Sequence, residues 1–332
     1  MIEKRGVELK RFFAGVALPL LLSLAQGATA APFSFGVFGD TPYFAAEEPR
    51  VERMIREMNQ EALAFVVHVG DFKASWTNCS DELYASRKDL FATIRHPFAF
   101  LPGDNEWTDC YGFAAGRYDP RERLAKLREL FYPNNAPAFG RAPFPIENQA
   151  GDASVRTGAP ENMIWRIDGI LFASFNISGS NDNFSRNAEM DREYEERSRA
   201  NLSWLRRAFT QAGLMKAKGV VLLFHANPVF QRTQPGVRGQ KNDAYVGLRS
   251  KLAGLAGEWK QPVLVIHGDT HNYRFDRPLR DPRTGVLVNN LQRLEVYGSP
   301  ALGWVKITID PATGGGSELF QVRPMPLSPS TE

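Results

Sequence analysis

Four short apolar runs in the sequence each end in Gly-Asp. They are FGVFGD at residues 35–40, FVVHVGD at 65–71, PFAFLPGD at 97–104 and VLVIHGD at 263–269. Short runs rich in Val, Ile and Phe are typical of strands that are buried on both faces. Each run therefore predicts a buried strand, and the Gly-Asp after it marks the turn where the strand ends.

Helical patterns separate these strands along the chain. Apolar residues recur at helical spacing in four segments, which are 51–58, 83–94, 202–209 and 245–255. Asp119-Pro120 is a favourable cap and first turn for a further helix. Because strands alternate with helices, the pattern predicts an α/β fold with parallel strands and helical crossovers.

The second half of the chain has a different pattern. The stretch 131–160 is dense in Pro, Gly, Ala and Asn and has no period, so it predicts a surface excursion, either a lid over a substrate or an insertion. Asp168-Gly169 lies between two apolar runs and predicts a hairpin. The segments RLEVYG, WVKITID and ELFQVRP, the last two joined across 314–316, predict antiparallel strands and hence a second sheet packed on the first.

The first thirty residues have the layout of a secretory signal peptide. Four Lys and Arg residues precede an apolar stretch from Phe12 to Ala25, and Ala28-Thr29-Ala30 forms a small-residue cleavage site. The apolar stretch is shorter than a membrane-spanning helix requires, and no later segment is apolar enough to span a bilayer. We therefore expect residues 1–30 to be removed and the protein to be exported, periplasmic or secreted. Residues 31–332 would form one domain, because no linker divides them.

Composition bears on partners and on the two cysteines. The chain has 40 Lys and Arg against 37 Asp and Glu, and removal of residues 1–30 leaves a net charge near +1, which gives no support for a nucleic-acid or anionic-membrane partner. An exported chain meets an oxidising compartment, so we expect its only two cysteines, Cys79 and Cys110, to form a disulfide. Two buried free thiols are the alternative.

The Gly-Asp corners also predict a metal site. In an open α/β sheet, ligands bind beyond the carboxyl ends of the strands, where the four aspartates would meet at one sheet edge. Clustered carboxylates repel one another unless cations neutralise them. His225 ends the run VVLLFH, and His271 follows Asp269 by two residues, so imidazoles would join the carboxylates. We assign His68, in mid-strand, and His96, before Pro97, to structure. The candidate metal ligands are Asp40, Asp71, Asp104, His225, Asp269 and His271.

The order of these residues resembles the calcineurin-like metallophosphoesterases, whose signature is D-x-H, G-D, G-N-H-[DE], H and G-H-x-H. The resemblance covers residues 33 to 275 and implies a two-sheet sandwich flanked by helices. It also implies a metal-dependent phosphoric ester hydrolase with two divalent ions that make hydroxide from water and orient the phosphate. The first ion would be held by Asp40, Asp71 and His271, and the second by Asp71, Asp104, His225 and Asp269.

Three positions depart from the signature. Pro42 replaces the histidine of D-x-H, so water or Tyr43 would complete the first ion's ligands. Asp104-Asn105 replaces Asn-His, so Asn105 would be a catalytic residue that orients substrate but cannot donate a proton; alternatively, Asn105 is the ligand and Asp104 lies behind it. Asp269 replaces the first histidine of G-H-x-H. The resulting oxygen-rich site favours Mn²⁺ or Mg²⁺ over Fe or Zn²⁺.

These observations lead us to expect an exported two-metal phosphoesterase that acts on mono- or diesters of a small molecule. The alternative is a metal-binding, non-catalytic member of the same fold that acts as a binding protein, which Pro42 and Asn105 favour. The sequence lacks G-x-S-x-G, G-x-x-x-x-G-K-[ST] and G-x-G-x-x-G, which argues against a serine hydrolase or a nucleotide-binding protein. Four arginines could reach a phosphate, although a solvated charged surface is the better explanation of each; they are Arg117, Arg121, Arg141 and Arg156.

Overall fold

The computed structural model describes residues 1–2, 31–135, 142–152, 158–232, 242–313 and 318–328. The strands in these ranges are β1 (Phe33–Phe38), β2 (Val66–His68), β3 (Phe98–Phe100), β4 (Ile146–Asn148), β5 (Met163–Ile167), β6 (Ile170–Ser174), β7 (Gly219–Leu223), β8 (Val263–His267), β9 (Arg274–Asp276), β10 (Leu291–Glu295), β11 (Gly303–Ile309) and β12 (Phe320–Pro326). The α-helices are α1 (Glu48–Met58), α2 (Asp81–Phe91), α3 (Pro120–Phe131), α4 (Gly179–Asp182), α5 (Ala188–Leu214) and α6 (Val246–Trp259).

The strands form two mixed sheets. The first has five strands in the order β12-β11-β1-β2-β3, and the second has seven in the order β4-β5-β6-β7-β8-β10-β9. Strands β1, β2 and β3 run parallel, as do β6, β7, β8 and β10. The remaining strands pair antiparallel with their neighbours. This arrangement confirms the predicted α/β class with a two-sheet sandwich flanked by helices.

The apolar core is divided into three clusters that follow these layers. The central cluster joins the two sheets, and in it Phe172 of the second sheet meets the ring of Phe35 of the first edge-on, with centroids 5.5 Å apart. A second cluster packs α5 and α6 on the outer face of the second sheet, and a third packs α1, α2 and α3 on the first. Both faces of the parallel strands are therefore covered, as their continuous apolar runs predict.

Helix positions also follow the sequence. Helix α1 buries the apolar face that its spacing predicts, Val51, Met54, Ile55 and Met58. Helix α3 begins at Pro120, where the side chain of Asp119 accepts a hydrogen bond from the backbone N–H of Arg121 at 2.8 Å. The Asp168-Gly169 hairpin is confirmed, because β5 and β6 are antiparallel and both turn residues have a positive φ.

The closing strands differ from the prediction. RLEVYG was expected to be antiparallel, and β10 does pair antiparallel with β9, but on its other side it runs parallel to β8. WVKITID and ELFQVRP do form the antiparallel pair β11–β12, yet this pair extends the first sheet through β1 instead of forming the second.

Some predictions fall outside the described residues. These are the signal peptide, of which residues 3–30 are not described, and the glycine turn at 314–316. Within the stretch 131–160, the described part includes β4, which pairs with β5 as the edge of the second sheet. The described ranges contain no helix with the length and apolar character needed to cross a membrane.

Candidate metal centre

The six predicted ligands meet where the carboxyl ends of strands from both sheets come together. Asp40, Asp71 and Asp104 follow β1, β2 and β3 of the first sheet. His225 follows β7 of the second sheet, and Asp269 with His271 follows β8. The expectation of a single sheet edge was therefore wrong. The reason is that β7 pairs with β6 and β8, and β8 pairs with β7 and β10, not with the strands that carry the first three aspartates.

The side chains form two overlapping groups. Asp40, Asp71 and His225 make the first group, and Asp104, His225 and Asp269 make the second; within each group the ligand atoms all lie within 4.8 Å of one another. The Nε2 atom of His225 lies 2.9 Å from Oδ1 of Asp104 and 3.5 Å from Oδ1 of Asp71. Each group could hold a cation, and the two groups share His225.

His271 lies beside the first group and is oriented in the same way as His225. Its Nε2 atom is 3.5 Å from Oδ1 of Asp40, and its Nδ1 atom is 2.8 Å from the backbone carbonyl of Ser299. In His225, Nδ1 is 2.8 Å from the carbonyl of Val69. A carbonyl that accepts from Nδ1–H fixes the tautomer and leaves Nε2 available as a ligand.

Glycines around the site make room for aspartates that belong to other corners. A Cβ atom on Gly103 would come within 3.0 Å of Asp71, and one on Gly268 would come equally close to Asp40. The same is true of Gly179 towards Asp104 and Asp269. The glycine of a Gly-Asp corner is therefore needed for close approach of a neighbouring carboxylate as well as for the turn.

The backbone at the corners is also unusual. Four of the six candidate ligands, Asp40, Asp71, Asp269 and His271, have φ values between 52° and 79°. Non-glycine residues rarely adopt this left-handed region, and such conformations concentrate at functional sites because surrounding contacts must hold them.

The electrostatics of the cluster fit divalent cations. Burial and the nearby carboxylate of Asp104 raise the pKa of Asp269 to about 7, and burial raises the pKa of Asp71 well above its usual range, an effect that Asp104 adds to although His225 opposes it. Oδ2 of Asp40 is buried without a hydrogen-bond partner. No Lys or Arg of the described ranges forms an ion pair with these aspartates. Buried carboxylates without a protein cation are the environment that metal ions neutralise.

Tyr43 is the site residue that sequence reasoning treated only as an alternative to water. Its hydroxyl donates a hydrogen bond to Oδ2 of Asp71 at 3.0 Å, lies 2.8 Å from Nε2 of His271 and accepts from the side-chain amide of Asn105 at 3.1 Å. Burial, together with Asp71 and Asp40, raises the pKa of the Tyr43 hydroxyl, so this group holds its proton. The signal in the sequence was the position of Tyr43 next to Pro42, which replaces the histidine of D-x-H. In the structure Pro42 is itself buried.

Asn105 lies at the centre of a supporting network. Its backbone N–H donates to Oδ1 of Asp71 at 3.0 Å, and its amide donates to the carbonyl of Lys73 at 2.9 Å as well as to Tyr43. The Lys73 ammonium is buried and donates to the carbonyl of Asn105 at 2.6 Å. Glu106 accepts from the backbone N–H groups of Asp71 and Gly103. The sequence pointed to Asn105 and Glu106 but not to Lys73.

The predicted disulfide is confirmed and adjoins the same network. Cys79 and Cys110 are bonded, and their sulfurs lie 3.7 and 3.6 Å from the carbonyl oxygen of Asn105. The loops that follow the second and third corners are thus joined behind the site.

Three histidines lie outside the cluster. Nε2 of His68 is 2.9 Å from the carbonyl of Thr41, and Nε2 of His96 is 3.0 Å from that of Met58, so both have structural contacts as expected. His267 directly precedes the Gly268-Asp269 corner, but it is fully buried with its ring near Phe224 and Phe230. Burial lowers the pKa of His267 to about 3. It does not line the cavity above the metal centre.

That cavity has a volume of about 450 Å³ and opens to solvent. Its lining comprises Tyr43, Phe44, Asp71, Ser75, Trp76, Asp104, Asn105, Asp269, His271, Ser299 and Pro300. Neither of the two described candidate arginines, Arg117 and Arg121, lines it. Arg121 pairs instead with Asp119 and Glu189, Arg117 lies over the ring of Phe113, and positions 141 and 156 lie outside the described residues.

Comparison with solved structures identifies proteins with a similar architecture. PhoD superimposes with a TM-score of 0.52 at 13% identity, over 86% of this chain and 65% of PhoD, so the chain spans less than two thirds of PhoD. The fold is that of the metallophosphoesterases. A dimetal phosphatase from Danio rerio is also similar, with a TM-score of 0.46 at 11% identity over 89% of this chain and 99% of the other. GAP50, the anchor in the inner membrane complex of Plasmodium, is similar as well, with a TM-score of 0.46 at 12% identity over 91% of this chain and 90% of GAP50. No family model and no curated protein matches the sequence.

Proposed function

We propose that the chain is an exported two-metal phosphoesterase that hydrolyses phosphate mono- or diesters of small molecules. Residues 1–30 would be the signal peptide and 31–332 the catalytic domain. The observation that carries the proposal is the cluster of four carboxylates and two imidazoles below an open cavity. Asp40, Asp71, Asp104 and His225 in this cluster are buried, and no described Lys or Arg forms an ion pair with its aspartates. The disulfide supports export to an oxidising compartment.

The proposed ligand sets are those that the resemblance implies, and they share Asp71, whereas the two groups defined by distance share His225. Oδ1 of Asp71 lies 3.5 Å from Nε2 of His225, which supports Asp71 as a ligand on both sides. Asp40, Asp71 and His271 would hold one ion, and Asp71, Asp104, His225 and Asp269 would hold the other. Four oxygen donors and two nitrogen donors favour Mn²⁺ or Mg²⁺. When bound, such ions lower the pKa of a water molecule and neutralise the charge of a phosphoryl group.

The protein positions these ligands through its backbone. The N–H of Asp269 donates to Oδ1 of Asp40 at 3.0 Å, and the N–H of Asn227 donates to Oδ2 of Asp269 at 2.7 Å. Each bond uses one lone pair of a carboxylate and fixes the direction of the others. Little reorganisation is then needed on binding, which is the preorganisation that catalysis requires.

Asn105 and Tyr43 would orient the reacting groups. Both line the cavity, and the amide of Asn105 can donate hydrogen bonds but cannot release a proton at physiological pH. The Tyr43 hydroxyl donates to Asp71 and so holds the proposed bridging carboxylate in place. Both N–H groups of the Asn105 amide already donate, to Tyr43 and to the carbonyl of Lys73. Asn105 would therefore direct a phosphate oxygen by exchanging its bond to Tyr43, while Tyr43 supports the ligand.

The test compares Asp71→Asn with Asp168→Asn in protein supplied with Mn²⁺. Asp168 is a matched control because it also has a left-handed backbone, at φ 48°, and lies in the β5–β6 hairpin. We expect the wild type and Asp168→Asn to hold about two ions per chain and to hydrolyse aryl phosphate mono- or diesters. In Asp71→Asn we expect loss of metal and a fall in turnover of more than about 100-fold, because it removes the shared ligand. Elemental analysis, ester hydrolysis and circular dichroism give the three readouts.

Two results would contradict the proposal. Full metal content and turnover in Asp71→Asn would remove Asp71 from the site. Stoichiometric metal binding without hydrolysis of any ester tested would favour the non-catalytic binding protein instead, in which Pro42 marks an incomplete ligand set.

A further inference from the structure

Exposed aromatic side chains surround the metal centre. Phe44 follows the first Gly-Asp corner, Trp76 the second, and Tyr111 and Phe113 the third. Trp76 is 62% exposed and Phe44 is 45% exposed. Large aromatic side chains contribute most when they are removed from water, so an exposed cluster beside a cavity indicates a surface for binding.

Two of these four rings, those of Tyr111 and Phe113, each have an arginine over one face. The guanidinium of Arg186 lies 4.3 Å from the ring centroid of Tyr111, and that of Arg117 lies 4.8 Å from the ring centroid of Phe113. Neither ring lines the cavity. Phe44 and Trp76 do line it, and no cation of the described ranges lies over their faces.

Phe44 and Trp76 form one surface. Their ring centroids are 6.2 Å apart with an interplanar angle of 40°, which is within the range of direct aromatic contact. The two rings therefore touch each other and leave no slot between them. A ligand would stack on their outer faces, towards the cavity.

The remainder of the cavity selects the charge of such a ligand. Asp71, Asp104 and Asp269 line it, and among the described residues its lining contains no Lys or Arg. With two divalent ions bound, their charge would balance the four carboxylates, so the described lining offers no surplus positive charge to a second anionic group beyond the phosphate. An uncharged planar ring needs no such charge and would gain from contact with the aromatic faces.

We propose that Phe44 and Trp76 are a stacking platform for an uncharged aromatic group esterified to the phosphate of the substrate. The inference rests on the proposed function, because the metal centre would bind the phosphate while the platform binds the group attached to it. A nucleobase and a simple aryl ring both offer the required face.

The experiment measures binding of non-hydrolysable phosphonates to the Mn²⁺-loaded protein by titration calorimetry. We expect phenylphosphonate to bind about tenfold more tightly than ethylphosphonate, since stacking on an aromatic side chain has effects of this size. Trp76→Ala should abolish this preference and Trp76→Phe should retain most of it. Phe113→Ala is the matched control, because Phe113 is 81% exposed but lies outside the cavity lining, and it should leave the preference unchanged.

A parallel measurement distinguishes the aromatic sources. A KM lower for adenosine 5′-monophosphate than for ribose 5-phosphate, with a difference that Trp76→Ala abolishes, would identify a nucleobase. A Trp76-dependent preference confined to phenyl phosphonate would identify a small aryl group.

The platform is overturned if the wild type prefers neither phenylphosphonate over ethylphosphonate nor adenosine 5′-monophosphate over ribose 5-phosphate, or if such a preference survives in Trp76→Ala. Ester hydrolysis, followed in the same samples, keeps this failure separate from failure of the proposed function. Hydrolysis without aromatic preference refutes the platform alone, whereas aromatic preference without hydrolysis refutes the phosphoesterase alone.

Discussion

At the scale of single residues, Tyr43 connects three groups that otherwise belong to separate loops. Its hydroxyl contacts Asp71 of the second corner, Asn105 of the third and His271 of the second sheet. A hydroxyl can donate once and accept twice, so the Tyr43 oxygen can donate to Asp71 and accept from Asn105. Nε2 of His271, whose ring proton lies on Nδ1 towards Ser299, is then left available beside it. Partners of this kind fix the orientation of metal ligands.

Removal of the Tyr43 hydroxyl tests this role. Tyr43→Phe keeps the ring but leaves Asp71, Asn105 and His271 each without one contact, so we expect metal affinity to fall by about 10- to 100-fold. Tyr194→Phe is the control, because the Tyr194 hydroxyl donates to the carbonyl of Ala244 at 2.6 Å, away from the metal centre. The control should lose about 1 kcal/mol of unfolding free energy and no metal affinity. Mn²⁺ titration of both variants checks this, and equal affinities would show that Tyr43 does not support the ligands.

At the scale of elements, the short turn α4 positions a polar group that the sequence did not reveal. Ser180, Asn181 and Asp182 all have φ values near 50°, so the turn is left-handed. Each such residue costs about 1–2 kcal/mol, which tertiary contacts must offset. Arg197 provides one of them by pairing with Asp182 at 2.5 Å. The turn directs the hydroxyl of Ser180 to Oδ2 of Asp104 at 2.7 Å.

Gly179 at the start of this turn gives a steric test. A Cβ atom there would come within 3.0 Å of Asp104 and Asp269, so Gly179→Ala should displace both carboxylates and lower metal affinity by at least about tenfold. Gly254→Ala in α6 is the control, because its Cβ would meet nothing within 4 Å and should stabilise the helix by about 0.5–1 kcal/mol. Metal titration and urea unfolding measure the two effects. Normal metal affinity in Gly179→Ala would mean that the turn moves freely away from the site.

The element scale also shows what the sequence could predict. Strand ends, helix faces and the Asp168-Gly169 hairpin depend on neighbouring residues, so periodicity and turn chemistry located them. The order of strands in the sheets depends on pairing between distant segments, and this is why the parallel pairing of β10 with β8 was not predicted. Contacts between distant segments also explain two further omissions. The glycines were recognised as turn residues, but their need to leave room for carboxylates of other corners was not predicted. The contact of Ser180 with Asp104 was not predicted either.

At the scale of the whole molecule, the metal centre depends on how the two sheets meet. The bond from the Asp269 N–H to Asp40 and the contact of His225 with the carbonyl of Val69 both cross from one sheet to the other. Beneath them, the central apolar cluster packs the sheets together over most of their length. The relative position of the sheets is therefore set mainly by the core. The disulfide acts on one side only, since Cys79 and Cys110 both follow strands of the first sheet.

Because the disulfide joins loops of the first sheet only, we expect it to contribute more to the free energy of unfolding than to metal affinity. Cys79 and Cys110 are 31 residues apart, and closing a loop of that length lowers the entropy of the unfolded chain by an amount worth about 3–4 kcal/mol. The double variant Cys79→Ser/Cys110→Ser should lose that much unfolding free energy in urea. Its metal affinity should fall by less than about tenfold, because Lys73 still donates to the carbonyl of Asn105 and the cross-sheet bonds remain.

The control for this last prediction is the wild-type protein with its disulfide reduced, which has the same broken bond without the substitutions. If the loss of stability comes from chain entropy, both samples should unfold at the same lower urea concentration. A double variant as stable as the oxidised protein would contradict the entropic account. A variant that remains folded but no longer binds Mn²⁺ would instead show that the disulfide, and not the core between the sheets, holds the corners in the geometry that the metal ions require.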